Sequence, residues 1–187
     1  MLTRGPPVLA GIETAEQCSR SDPPGVEVFL IECLAWGLLR AYGIEEPPVP
    51  VREMVLRPLP IFEHLSLLEL NLGLYDAIYR SCLDGARLIV VDLEKPRPVQ
   101  RASTARALHV AFRSSARATD LCWPYLVHAS TYDDLFARCL LMPAAWVQQE
   151  RAMTVSTEEI ATRFDVPIRM ANQRLDDIAC YERGHAV

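Results

Sequence analysis

The sequence predicts an α+β chain, mostly helical, with a small β-sheet or hairpin near its middle and a pair of helices at its end. Three observations lead there. Half of the 187 residues are hydrophobic and 23% are charged, enough apolar surface to build a core. One stretch, Ser66–Asp92, concentrates apolar, aromatic and β-branched residues, including the run Leu88-Ile89-Val90-Val91. From Val99 onward, helix starts and stops recur at helix spacing.

Taken in order, residues 1–23 read as a loose, polar, proline-containing arm. The apolar run from Pro24 to Ala41, interrupted by charges on one side, predicts a helix that Gly43 stops. Glu46-Pro47-Pro48-Val49-Pro50 is a rigid connector to a short helix over Val51–Leu56, which Pro58 and Pro60 break. Leu67–Leu74 and Tyr75–Tyr79 read as β-structure, and Asp84-Gly85 as a turn before the next strand. After the Lys95-Pro96-Arg97-Pro98 break, one long helix is expected over Val99–Arg117. Thr131 can cap a helix through Leu141, with Asp133 and Asp134 in its first turn against the helix dipole. Pro143 opens another helix. Ser156-x-x-Glu159 is a capping box for a helix ending near Phe164, and Pro167 begins the last, through about Glu182. The organisation expected is an arm over 1–23, a domain over 24–150 and a helical pair over 151–187 packed on it.

A net charge of −5 and a sequence pI near 5.4 argue against a surface built for nonspecific binding to nucleic acid or anionic membrane. Residues 1–25 show no secretory pattern, and Val26–Tyr42 is short and carries Glu27, Glu32 and Arg40, so a soluble cytoplasmic protein is expected. The six cysteines (Cys18, Cys33, Cys82, Cys122, Cys139 and Cys180) form no Cys-x-x-Cys pair and read as buried, reduced thiols.

Phe136-Ala137-Arg138-Cys139-Leu140-Leu141-Met142-Pro143-Ala144-Ala145-Trp146-Val147 is the most distinctive string. It resembles the segment that follows the third zinc ligand in ImmA/IrrE-family metallopeptidases. Weaker features agree in order: Tyr42-Gly43-Ile44 after the first helix, Ile89-Val90-Val91-Asp92 before a Pro- and Arg-containing loop, and Ile160–Val166 with Arg174-Leu175 in the tail. The resemblance covers roughly residues 26–176 and implies a zincin-like metallopeptidase fold.

Such a peptidase holds zinc with a His-Glu-x-x-His helix, because side chains at i and i+4 share a helix face and two imidazoles can converge on one ion. The Glu then acts as base toward the metal-bound water. Laid on the family's pattern, Arg101 and Ala105 match, but Arg106 falls at the first His, Ala107 at the Glu and Val110 at the second His. Shifted by one, His109 takes the second position and its partner is Ala105, which offers no donor. The downstream carboxylate falls near Tyr132, with Asp133 and Asp134 beside it. Neither register yields the histidine pair, so no metal and no cofactor are expected. Arg106, Ala107, His109, Val110, Tyr132, Asp133 and Asp134 are then the remnant of a cleft, in which an Arg106 pair with Asp133 or Asp134 would replace the metal as a crosslink. His128, His64 and His185 are isolated in sequence.

What the resemblance implies is a catalytically inactive homologue with a regulatory or protein-interaction role in stress or mobile-element transcriptional control. Its partner would be a protein or small ligand, such as a transcriptional repressor. Two alternatives stand beside it. One is an active metallopeptidase with an atypical site. The other is a DNA-binding regulator using the helix-turn-helix-like tail, where Arg169, Asn172, Gln173 and Arg174 favour DNA while Asp176, Asp177 and Glu182 oppose it.

Overall fold

A computed structural model of the chain describes residues 25–82, 85–121, 131–153 and 156–184. The arm at 1–23, Asp84 of the expected turn, Cys18, Cys122, His128 and His185 lie outside the described residues.

Helix α1 (Gly25–Ala41) ends where Gly43 takes a φ of +66°, and Ile44 N–H bonds Leu39 C=O while Gly43 N–H bonds Arg40 C=O. That is a Schellman closure, which needs a left-handed residue and so favours glycine. Tyr42 then ties the loop down, its hydroxyl donating to Met54 C=O (2.8 Å) and accepting from Leu59 N–H (3.0 Å). The first of these contacts falls within α2 (Val51–Leu56), which buries Val51, Met54 and Val55. A single 3-10 turn follows at Pro60–Phe62.

Three strands form one sheet in the order β1 (Leu65–Leu70), β3 (Arg87–Asp92), β2 (Ala77–Ser81). Strand β1 runs parallel to β3, from Leu65 opposite Arg87 to Leu70 opposite Asp92, and β2 runs antiparallel to β3. The expected strand over Leu67–Leu74 is corrected: it stops at Leu70, and the expected start at Tyr75 moves to Ala77. Between them Asn71 accepts a hydrogen bond from Gly73 N–H through its side chain (3.1 Å), and Gly73 sits at φ +63°. Local turn chemistry wins there over hydrophobicity, and leaves Leu74 94% exposed.

Helix α3 (Arg97–Arg113) packs on β2 and β3 with one side and on α5 (Thr131–Leu141) with another. It is buried almost all round, at Arg101 through Ala105, Ala107 through His109, Ala111 and Phe112. Small residues at 102–105, 107 and 111 let neighbours approach closely. Their hydroxyls bond back one turn, Ser103 to Val99 C=O (2.8 Å) and Thr104 to Gln100 C=O (2.7 Å), so burial strands neither. The single helix expected through Arg117 is instead two. Ser114 ends α3, and Ser115 accepts from Ala118 N–H (3.0 Å) to cap α4 (Ala116–Asp120).

The remaining helices are α6 (Ala144–Met153), α7 (Thr157–Phe164) and α8 (Ile168–Gly184). Ser156 caps α7 through Glu159 N–H (3.2 Å), and Asp165 at φ +53° closes it with the same pair of bonds that Gly43 uses. Helix α1 packs on α5, α8 on α5 and α7, and α6 on α7. The core runs through all of these, with Ile31, Leu39, Phe62, Ile89, Leu108, Phe136, Leu140 and Leu141 fully buried. Of the described cysteines only Cys139 is buried; Cys33, Cys82 and Cys180 are exposed, which corrects the reading of all six as core thiols. No helix among the described residues is long and apolar enough to cross a membrane.

Candidate functional site

The positions aligned with the metal-binding helix all lie on α3, but they part company by face. Arg106, Ala107 and Val110, joined by Ser103, line a cavity of about 290 Å³ whose opposite wall is Asp76, Ala77 and Tyr79 at β2. His109 belongs to a different face. It is fully buried, its ring stacked on Phe136 of α5 at a centroid separation of 4.7 Å, and its Nδ1 lies 2.6 Å from Asp133 Oδ1. One turn further, Arg113 grips the same carboxylate twice, Nε to Oδ1 at 3.2 Å and Nη2 to Oδ2 at 3.3 Å. The i, i+4 spacing that could present two imidazoles to a metal thus presents an imidazole and a guanidinium to an aspartate.

Asp134 turns to Arg106 and accepts from its Nε; both side chains are substantially exposed, 40% for Arg106 and 58% for Asp134. Asp133 is only 13% exposed. Tyr132, at the aligned third-ligand position, faces away from the cavity toward α1, where its hydroxyl donates to the Glu27 carboxylate. That bond, then burial and the Glu27 charge, raises the Tyr132 phenol to about 12, so it remains a donor at neutral pH.

The donor set does not fit zinc. Ala107 and Val110 carry no ligand atom, Arg106 places a cation at the first position, and His109 is engaged on α5. Among the described residues no three metal-ligating side chains converge.

The cavity has a second chemical resource, the edge of the sheet. Asp92 N–H bonds Asp76 C=O (3.0 Å) and Cys82 N–H bonds Ala86 C=O (2.8 Å). By the alternation of an antiparallel ladder, the main-chain groups of Ala77, Tyr79 and Ser81 therefore point away from β3. Among the described residues β2 has no neighbour on that side. An extended chain laid there would gain main-chain hydrogen bonds while its side chains met Arg106 and Val110.

Sequence reasoning missed the hub at the other end of α5. Arg174, one of the residues that favour the DNA-binding alternative, is wholly buried. Its Nη2 meets Glu32 Oε1 of α1 at 2.6 Å and its Nε donates to Met142 C=O at 2.9 Å. Arg138 pairs beside it with Asp177, Nε to Oδ2 at 2.7 Å. Burial also pushes the neighbouring Cys139 thiol far up, which keeps it protonated. Arg169, Asn172 and Gln173 are exposed. The spacing of Arg174 with Ala171 and Ile178, both apolar core positions, was the available signal that it shares their inward face.

No protein-family model matches the chain, and no curated protein sequence does. Among solved structures it is similar to a Mycobacterium tuberculosis transcriptional regulator, with a TM-score of 0.57 and 13% sequence identity. The match covers 79% of this chain and 46% of that one, so this chain spans less than half the length of its structural neighbour. At that identity the shared property is the fold: a helical chain around a small sheet.

Proposed function

We propose that the chain is a non-catalytic ImmA/IrrE-like scaffold with a regulatory role, which takes an extended protein segment into the cleft between β2 and α3. The observation that carries this reading is the pairing of a strand edge at Ala77, Tyr79 and Ser81, with no neighbour among the described residues, with a helix face that lines a cavity and holds no metal-ligand pair. Strand addition supplies sequence-independent affinity, and Arg106, Val110 and Tyr79 supply selectivity. The named role of the structural neighbour is compatible with a regulatory setting. The partner class to which the resemblance points is a transcriptional repressor.

The test uses peptides selected from a random library on the immobilised full chain, with affinities then measured for Val110→Arg and Ala77→Arg. Both positions are partly exposed, and unchanged circular dichroism spectra check that the variants are folded. A loss of at least about tenfold in each supports the cleft. Peptides that bind both variants as well as the parent sit elsewhere and overturn the reading.

A further inference from the structure

On the flank of α3 opposite the β2 cleft lies a cavity of about 400 Å³, between α2, β1 and the first turns of α3. Its walls divide by chemistry. Val51, Leu67 and Val91 give an apolar floor, while Arg52, Arg97 and Arg101 stand around it together with Glu53 and Glu69. The volume is that of a small-molecule site.

The cations are unequally compensated. Arg52 is neutralised by a two-point contact with Glu69, at 2.8 and 3.2 Å. Arg97 and Arg101 instead share one carboxylate, Asp165, whose Oδ2 lies 2.8 Å from Arg97 Nε and 3.3 Å from Arg101 Nε. The Arg101 side chain is nine-tenths buried and anchors itself on Asp165 C=O (2.9 Å). Burial holds its guanidinium below the usual value, Asp165 opposes that, and Arg97 adds to the lowering. Arg97 and Arg101 share one carboxylate at the positive end of a 17-residue helix, which leaves local positive charge at that end of the cavity, while Arg52 faces both Glu69 and Glu53. The amides of that helix end are already bonded, Val99 and Gln100 N–H both going to Pro96 C=O, so the site is made by side chains.

We infer that this cavity binds a small organic carboxylate, its anionic head between Arg97 and Arg101 and its apolar body on Leu67 and Val91. The inference is independent of the β2 cleft. A purely inorganic anion would use the head site and gain nothing from the floor. An aliphatic acid gains from both, so affinity should climb with chain length.

Isothermal titration of the full chain with acetate, butyrate and hexanoate, against hexanamide and inorganic phosphate, decides this. The expected result is an affinity rising by up to about fourfold per added methylene, with no binding of the amide. Arg97→Gln, at a 75% exposed side chain, should weaken hexanoate by about tenfold while the circular dichroism spectrum is unchanged. Arg52→Gln, whose charge Glu69 already balances, should weaken it less. A flat series, phosphate binding as well as hexanoate, or hexanoate indifferent to Arg97→Gln would each overturn the assignment. So would the absence of saturable binding up to about 10 mM, where affinity falls below the range of a functional site.

Discussion

Helix α5 is tied at both ends by arginines and carboxylates, and the two ties are constructed differently. At the α3 seam three side chains on successive turns, Arg106, His109 and Arg113, meet two adjacent aspartates, and exposure grades from 0% at His109 to 40% at Arg106. At the junction with α1 and α8 a single guanidinium, Arg174, is enclosed completely and bridges a carboxylate and a main-chain carbonyl. Solvent screens the outer part of the first tie and none of the Arg174 end of the second. A metal substitute formed by Arg106 and Asp134 alone would therefore be weak. The crosslink at that seam is carried by the interior carboxylate, Asp133.

The largest effect should come from Arg174→Met, which keeps the volume and deletes the charge. Glu32 is left without its partner, although at 27% exposure it can still reach water. A loss of about 3 kcal/mol in urea unfolding is expected, the lower end for a broken buried pair. A loss under about 1 kcal/mol would erase the contrast between the two ties.

The contrast within the α3 seam is the next to test. Asp133→Asn should cost about 2 kcal/mol, because it disturbs a buried imidazole and a two-point guanidinium contact together. Asp134→Asn and Arg106→Gln should each stay within about 0.5 kcal/mol. Double-mutant cycles sharpen this: coupling of about 1 kcal/mol for His109 with Asp133, and under about 0.5 for Arg106 with Asp134. Equal coupling in both pairs would return the crosslink to Arg106.

A further contact, at Tyr132, links the seam to α1. Tyr132→Phe should lose about 1 kcal/mol at neutral pH, the worth of a hydrogen bond to a half-buried acceptor. Because the folded phenol is raised to about 12 while an unfolded tyrosine titrates near 10, that stability is fully present below pH about 10 and disappears as pH rises through about 12. Parent and variant should then unfold alike in strong alkali. A difference that persists there would assign the loss to packing instead.

How much of this the sequence disclosed depended on how local the cause was. Gly43, the Ser156–Glu159 cap and Pro167 act within a few residues, and each element end expected from them lies where the structure places it within a residue or two. The Ser114–Ser115 break was misread because a serine pair inside a helical pattern is equally a solvated surface or a cap. Leu74 and Tyr75 misled by being apolar and exposed at a turn. The parallel pairing of β1 with β3 has no local signal, since β2 intervenes in sequence but not in space. At the site, the lack of a histidine pair was legible from spacing alone. Which face of α3 His109 occupies was not, because that depends on where Asp133 arrives from another helix.

The edge of β2 that has no neighbour among the described residues also bears on how the molecule avoids itself. An unpaired strand is a template for any extended chain, other copies included. This one is five residues long and carries an exposed Arg80 between Tyr79 and Ser81. Antiparallel self-pairing centred on Tyr79 would set two Arg80 side chains on one face, diagonal neighbours about 8 Å apart. The same charge that makes the edge a poor match for its own kind would suit a guest strand with an acidic residue nearby, adding to the selectivity proposed for Arg106, Val110 and Tyr79.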